Sequence, residues 1–380
     1  MKIAYLSTFY PFRGGIAQFN ARLLRALSKF GEVRAFNFKR QYPKLLFPGK
    51  TQYVQSQENC EIVESFPVLD SVNPLTYITT ANKIKEFAPD IVVTKYWTPF
   101  FAPSIGIVLK KLKRTFFCIS ILDNVSPHEK FPFARQLTKF FLEQNHSFVV
   151  MSNTVQMDLL NLKPDANFIN TLHPLYDHFG EKIQKERALQ LLGLPSDKKI
   201  LLFFGFIREY KGLDLLLEAM TLLPEDFFLV VAGEPYTSFD KYEQQIAKLN
   251  LKHRVKLFVR YIADNEVPTF FSSADVCVLP YKTATQSGIV GIAYHFNIPV
   301  IATRTGGLHE MIEPYGAGLI IDKPEPELIA KVIKKFFDEP FEKYITGIEK
   351  YKSIANWDNL AFKIIEEYNF FKSRKFKSNF

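Results

Sequence analysis

Two cations, Arg208 and Lys211, lie between a predicted strand and a predicted helix. The strand is the apolar run ILLFF, the connecting turn begins at Gly205, and apolar residues recur at helical spacing over residues 213–220. Free amides at a helix N-terminus and two positive charges both favour an anion. We therefore predict that Gly205, Arg208 and Lys211 hold a diphosphate. The turn is not a Walker A loop, because no Ser or Thr follows its Lys–Gly pair.

A second predicted anion site opens an apolar helix further along the chain. Thr285, Gln286, Ser287 and Gly288 are small or polar, and Lys282 is close in sequence. Backbone amides in such a turn can form a concave nest for an anion. Ser287 by itself is equally typical of a helix N-cap, so both interpretations stay open.

Gly14 and Gly15 follow the first predicted strand, in the run FYPFRGGIAQF. Glycines at this point permit a tight turn and a close approach of the backbone to a ligand. The run is not G-x-G-x-x-G, and a purely structural turn is the alternative.

His128 and Glu129 lie in the loop LDNVSPHEK, directly after the predicted strand TFFCISI. Loops at the carboxyl ends of parallel strands are where ligands bind in α/β proteins. A histidine there can donate a hydrogen bond to a leaving group or relay a proton. A structural histidine is the alternative.

Composition and charge narrow the class of protein. The chain has 380 residues, 47% of them hydrophobic, a net charge of +9 and a pI of about 9.1. This length favours two folded domains, and the charge favours an anionic partner or simply good solubility. Cys60, Cys118 and Cys277 are widely spaced and read as reduced thiols of a cytoplasmic protein. No apolar run is long enough to span a membrane.

Strands and helices alternate along the whole sequence, which predicts doubly wound α/β domains with parallel sheets. EIVES, residues 61–65, is among the predicted strands, and Asn73 with Pro74 opens a predicted helix. We expect an N-terminal Rossmann-like acceptor domain over residues 1–178 and a C-terminal Rossmann-like nucleotide-sugar domain over 179–356, facing a cleft. A helix over 357–380 is expected to pack back toward the N-terminal domain.

Several classes of site are absent from the sequence. It has no paired-aspartate metal motif, His-Glu-x-x-His, Cys-x-x-Cys or Gly-x-Ser-x-Gly. A nicotinamide-dependent oxidoreductase is disfavoured, since no G-x-G-x-x-G with a downstream acid occurs. Nucleic-acid binding is disfavoured because the basic residues are dispersed.

The chain resembles the family-4-type (group 1) retaining glycosyltransferases of bacteria, which have the two-domain GT-B architecture. The resemblance covers nearly the whole chain and is carried by YPFRGGIAQF, HPLYDHFG, FFGFIREYKGLDLLLEA, VCVLPY, PVIATRTGGLHEMI and the Trp-containing C-terminal helix. It implies transfer of a sugar, with retention, from a nucleoside diphosphate sugar to an acceptor hydroxyl. The absence of metal motifs fits a metal-independent, cofactor-free site that uses Arg, Lys and helix dipoles. Arg208 and Lys211 then correspond to the diphosphate clamp, and Gln286, Ser287 and Gly288 offer amides to the donor.

In the other domain, the resemblance assigns Gly14 and Gly15 to a loop that closes over the donor. It places His128 near the donor sugar and Glu129 on the acceptor side. The family also carries a pair of glutamates in its donor helix, where this sequence has Ala284 and Ile292. This departure leaves an alternative function, a catalytically weak subunit that binds a nucleotide or a partner.

The acceptor is the part of the function on which the sequence says least. LKKLKR, residues 109–114, follows an apolar run and could place an amphipathic helix on anionic lipid headgroups. A buried helix that ends in solvated lysines is the alternative. With the membrane interpretation, the acceptor is a glycan or lipid-linked sugar of envelope or capsule synthesis, and the protein is cytoplasmic, at the inner face of the membrane.

Overall fold

The structure, a computed structural model, describes residues 1–43, 52–54, 61–126, 131–175, 179–284 and 287–377. The chain divides into two compact units. Unit 1 comprises Met1–His173 together with Asn356–Phe380, and unit 2 comprises Pro174–Ala355.

Unit 1 is built on a parallel sheet whose described residues form seven strands. These are β1 (Lys2–Leu6), β2 (Glu32–Arg40), β3 (Ser65–Asp70), β4 (Ile91–Tyr96), β5 (Phe117–Leu122), β6 (Ser147–Val150) and β7 (Phe168–Asn170). The helices between them are α1 (Gly15–Ser28), α2 (Pro74–Phe87), α3 (Ala102–Leu112), α4 (Ala134–Leu142) and α5 (Asn153–Leu162). The strand order is β3-β2-β1-β4-β5-β6-β7, so the winding reverses between β1 and β4.

Both faces of this sheet are covered, as in a doubly wound fold. On β1, Ala4 and Leu6 belong to one apolar cluster and Ile3 and Tyr5 to another, and all four are fully buried. Strands buried on both faces are expected to be continuous apolar runs, which is why IAYL, IVV and FCISIL could be recognised in the sequence.

Unit 2 repeats the scheme with six parallel strands in its described residues. They are β8 (Lys199–Phe204), β9 (Phe227–Ala232), β10 (Val255–Phe258), β11 (Val276–Leu279), β12 (Val300–Thr303) and β13 (Gly318–Ile321). The helices are α6 (Lys185–Leu192), α7 (Leu213–Thr221), α8 (Asp240–Lys248), α9 (Val267–Ser273), α10 (Gly288–His295), α11 (Leu308–Ile312), α12 (Pro326–Asp338) and α13 (Phe341–Ile354). The order β10-β9-β8-β11-β12-β13 reverses between β8 and β11.

The last helix, α14 (Trp357–Lys377), returns to unit 1. The Trp357 ring meets the Phe19 ring of α1 edge to face, with centroids 5.0 Å apart. Leu360 and Ile364 are buried in the same cluster as Ile3, so α14 covers part of one face of the sheet. None of the described helices is long and apolar enough to cross a membrane.

Most predicted elements are confirmed, and one is not. The helix opened by Asn73 is α2, and the Asn73 side chain accepts a hydrogen bond from the Leu75 amide. The strand predicted at EIVES is wrong: residues 61–64 are irregular and β3 begins at Ser65. Glu61 instead pairs with Arg22 and Arg25 of α1.

The sequence left two interpretations of α3 open, a helix on a lipid surface and a buried helix, and the structure shows the buried helix. Ile105, Val108, Leu109 and Leu112 are fully buried in the core of unit 1, so its apolar face is not available to a lipid surface. The lysines of its last turn remain exposed.

Candidate functional site

The predicted cations of unit 2 lie where the strand order of its sheet reverses. β8 and β11 are neighbours at the centre, and their connections leave in opposite directions along the sheet. In open α/β sheets, this reversal leaves a crevice at the carboxyl ends of the two strands, where ligands bind. The turn after β8 carries Arg208 and Lys211, and the turn after β11 leads to α10.

Gly205, at the end of β8, allows the Lys211 ammonium to come close to the backbone. Its φ of 95° is unfavourable for other residues, and a Cβ there would be 3.3 Å from Lys211 Nζ and 3.1 Å from Ile289 Cδ1. Lys211 Nζ therefore lies between the end of β8 and the first turn of α10. The structure brings together these two predicted parts of the site.

Lys211 is a buried cation without a neutralising carboxylate among the described residues. Only 8% of its surface is exposed, and Nζ lies 5.4 Å from the centroid of the Tyr281 ring. Burial, reinforced by the charge of Arg208, lowers the pKa of Lys211 from 10.5 to about 8. An anion bound beside Nζ would relieve both unfavourable effects.

Arg208 has an extended backbone conformation and directly precedes a single 3-10 turn, Glu209–Lys211. Its guanidinium carbon lies 4.1 Å from the centroid of the Tyr236 ring, on the connection after β9. This contact orients the guanidinium while leaving its hydrogen-bond donors free for a ligand. In the described part of the chain, Arg208 has no ion-pair partner.

Lys282, by contrast, is neutralised. Its ammonium lies 2.6 Å from Asp214 Oδ2, and its amide donates to the Tyr210 carbonyl. This pair joins the turn after β11 to the first turn of α7. Lys282 thus stabilises the turns around the site. Among the described residues, Arg208 and Lys211 provide the unpaired positive charge of the site.

Ser287 is the N-cap of α10, which was one of its two interpretations. Its Oγ accepts a hydrogen bond from the Ile289 amide at 3.3 Å, and the Tyr281 hydroxyl lies 3.3 Å away. Gly288 is the first residue of the helix. Thr285 and Gln286 lie outside the described residues.

Gly14 and Gly15 occupy the corresponding turn of unit 1. Gly14 has a φ of 106°, which favours glycine, and Gly15 is the first residue of α1. His128 and Glu129 lie outside the described residues, and their assignment stays a prediction. Cys118 and Cys277 are free, buried thiols, and Cys60 is outside the described range.

The sequence reasoning missed a buried polar group at the carboxyl end of the sheet of unit 1. Lys95 Nζ in β4 contacts Asp123 Oδ1 after β5 at 2.6 Å, and the Tyr5 hydroxyl donates to Asn20 Oδ1 at 2.7 Å. A lysine inside the apolar run DIVVTKY was the available signal, but its partner is 28 positions away. Over the described residues, no group of three His, Cys, Asp or Glu side chains could hold a metal ion.

Comparison with known proteins identifies the family that unit 2 resembles. Residues 184–354 match the family model described as Glycosyl transferases group 1. D-inositol 3-phosphate glycosyltransferase of Thermomonospora curvata is 28% identical over 195 residues, 48% of this chain and 45% of that protein. The chain thus spans about half the length of the first curated relatives it matches.

Solved structures resemble the whole chain in fold. Sucrose-phosphate synthase from Thermosynechococcus elongatus superposes with a TM-score of 0.74 at 19% identity, covering 98% of this chain and 100% of that one. HepE from Anabaena, in complex with UDP, gives a TM-score of 0.73 at 16% identity, covering 97% of this chain and 100% of that one. The fold is therefore that of two Rossmann-like domains, the GT-B architecture.

Proposed function

We propose that this protein is a hexosyltransferase-type glycosyltransferase that moves a sugar from a nucleoside diphosphate sugar to an acceptor hydroxyl. The observation that carries the proposal is the buried ammonium of Lys211 beside Gly205, where the strand order of unit 2 reverses. It has no carboxylate partner among the residues that the structure describes. This position falls within the residues that match the group 1 model. The complex of the structurally similar HepE with UDP supports a nucleotide as the ligand.

The proposed chemistry follows from the charge of the site. Breaking the bond between sugar C1 and the diphosphate leaves negative charge on the β-phosphate. Arg208 and Lys211 would stabilise that charge more strongly in the transition state than in the ground state, which accelerates the reaction. Loss of one such preorganised group lowers turnover by roughly 100-fold.

The finer features of the proposal rest on the family resemblance. We propose that the transfer retains configuration. We also propose that it uses no metal or other cofactor, because Arg208 and Lys211 would neutralise the diphosphate. Gly205, Thr285, Gln286, Ser287 and Gly288 complete the donor site.

In unit 1, Gly14 and Gly15 contribute to the donor site. His128 serves as the histidine near the sugar, and Glu129 lies on the acceptor side. Each of these roles rests on the motif that surrounds the residue.

We further propose a glycan or lipid-linked sugar acceptor of envelope or capsule polysaccharide synthesis, used at the inner face of the cytoplasmic membrane. Since the apolar face of α3 is buried, attraction to anionic lipid would rest on exposed basic residues such as Lys110 and Lys111.

One observation favours a second candidate, a subunit that binds a nucleotide without turning it over. The positions of the family's two glutamates are Ala284 and Ile292, and Ile292 is a buried residue of α10. Neither can form a hydrogen bond to the donor through its side chain.

The test is a screen of UDP-, GDP-, ADP- and dTDP-glucose by thermal shift and by release of glucose, without added metal. Stabilisation by one nucleotide sugar together with its slow hydrolysis supports the transferase. Stabilisation without turnover, with water or with a panel of monosaccharides as acceptors, supports the binding subunit. No stabilisation by any of the four contradicts both.

A further inference from the structure

A buried ion pair lies beside the strand reversal of unit 1. Lys95 is the penultimate residue of β4, and Asp123 follows the last residue of β5. The Lys95 side chain is 2% exposed and that of Asp123 is 23% exposed. The Asp123 amide donates to the Tyr96 carbonyl at 2.9 Å, so the backbone under the carboxylate is fixed by the sheet.

The surroundings of Lys95 are poorly suited to a charge. Burial lowers the pKa of Lys95 although the charge of Asp123 opposes this. The Phe19 ring, whose centroid lies 3.4 Å from the ammonium, offsets part of that cost as a cation–π partner. Replacing a buried ion pair by well-packed apolar residues is often neutral or stabilising. The pair is therefore a poor explanation of the stability of unit 1.

Lys95 engages only one of the two carboxylate oxygens of Asp123. Oδ1 accepts the hydrogen bond from Nζ, and Oδ2 has no hydrogen bond among the described residues. The partly exposed carboxylate stands at the carboxyl end of the sheet, on the strand next to the reversal, where ligands of such folds bind. It can thus accept a hydrogen bond from outside the protein while Lys95 keeps it in one orientation.

We propose that Asp123, held in place by Lys95, accepts a hydrogen bond from a hydroxyl group of the acceptor, a sugar or other polyol. This inference rests on the proposed glycosyltransferase function and gives unit 1 a specific part in it. Asp123 is the binding residue, and Lys95 is a positioning residue that never touches the acceptor. The neighbouring hydroxyl of Tyr5 donates its one proton to Asn20 Oδ1, so that proton is not used to pair with Asp123.

The experiment compares donor binding with sugar transfer in the full chain. The variants are Asp123→Asn, Lys95→Met and Lys95→Arg, and the matched control is Asp70→Asn. Asp70 ends β3 at the edge of the same sheet and is likewise paired with a cation, Arg40, at 2.7 Å. The donor is whichever of the four nucleotide glucoses the wild type uses, and the acceptors are a panel of monosaccharides and myo-inositol.

We expect Asp123→Asn and Lys95→Met to raise the KM for the monosaccharide or inositol acceptor at least tenfold. The Kd for the free nucleoside diphosphate should stay within twofold of the wild-type value. Lys95→Arg, which keeps the charge, should recover most of the loss, and Asp70→Asn should behave as wild type. A merely structural pair would lower thermal stability without this selective rise in KM.

Transfer by both Asp123→Asn and Lys95→Met within twofold of wild type would overturn the inference and leave the proposed function intact. If Asp123→Asn fails to fold, Asp123→Glu takes its place, and an unchanged acceptor KM in that variant and in Lys95→Met has the same meaning. A wild-type protein that binds the nucleotide but transfers nothing to any acceptor contradicts the proposed function, and the inference with it.

Discussion

Replacing Lys211 by Met should make the protein more stable while weakening its binding of a nucleoside diphosphate. Burial and the charge of Arg208 lower the pKa of Lys211 from 10.5 to about 8. The difference, at about 1.4 kcal/mol for each pH unit, corresponds to roughly 3 kcal/mol that opposes folding while Lys211 is charged. Methionine fills a similar volume without the charge, so this unfavourable contribution disappears.

The difference in stability between Lys211→Met and the wild type should depend on pH in a defined direction. Between pH 8 and 10.5 the unfolded chain binds the proton of Lys211 more tightly than the folded chain, so wild-type stability rises with pH relative to Lys211→Met. The advantage of the variant should therefore be largest below pH 8 and fade by pH 10.5. Thermal unfolding at pH 7 should show a rise in Tm of at least about 4 °C, since 1 kcal/mol shifts Tm by about 2–4 °C at this domain size.

Lys282→Met is the matched control, because Lys282 belongs to the same group of turns but is paired with Asp214 at 2.6 Å. It should lower stability slightly or leave it unchanged, since Asp214 loses its partner. Titration with UDP should show a Kd at least about tenfold higher for Lys211→Met, in line with a lost charge-assisted hydrogen bond. A Lys211→Met protein no more stable than wild type at pH 7 would refute the electrostatic reasoning.

Three further predictions concern the same regions. In wild-type protein at constant ionic strength, UDP should bind about tenfold more weakly at pH 9 than at pH 7, because only about a tenth of Lys211 stays protonated one unit above its pKa of about 8. Lys211→Arg should abolish this dependence of UDP affinity on pH. The same loss of affinity at pH 9 in that variant would show that Lys211 is not the group that titrates. Gly205→Ala should destabilise the protein by about 1–3 kcal/mol in denaturant titration, because its φ of 95° strains any other residue. An unchanged midpoint would show that the turn can relax. In sedimentation with phosphatidylglycerol vesicles at low salt, the triple change of Lys110, Lys111 and Lys113 to Glu should at least halve the bound fraction, and unchanged binding would exclude this surface.

The sequence was sufficient for those elements whose pattern is local. Between Leu213 and Met220, the residues of α7 that face the core of unit 2 recur every three or four positions. A strand such as IVV is buried on both faces. β2 was missed because its ends, Glu32 and Arg40, are charged and its apolar residues are confined to the middle. A charged end is tolerated there since those residues are exposed.

In the candidate site, too, the local motif was predictable and the contacts between distant residues were not. The anion-binding turn was predictable, because Arg208 and Lys211 lie within four residues of each other and of a glycine. That Lys282 has a carboxylate partner, and that Lys211 has none in the part of the chain that the structure describes, was not predictable, since Asp214 is 68 positions from Lys282. The Lys95–Asp123 pair was missed for the same reason, because two different strands bring its members together.

Among the described residues, each unit buries one lysine beside its strand reversal, and the two lysines differ in what neutralises their charge. In unit 1, Asp123 is within 2.6 Å of Lys95, so the pair carries no net charge and offers one carboxylate oxygen. In unit 2, Lys211 has no such partner in the described residues, and Arg208 adds a second positive charge. An ion pair without net charge that leaves one carboxylate oxygen unused suits a hydroxyl, whereas two cations with no carboxylate partner among the described residues suit a diphosphate. Both units have the doubly wound scheme, and the proposed roles, donor binding by unit 2 and acceptor binding by unit 1, follow from this difference in charge.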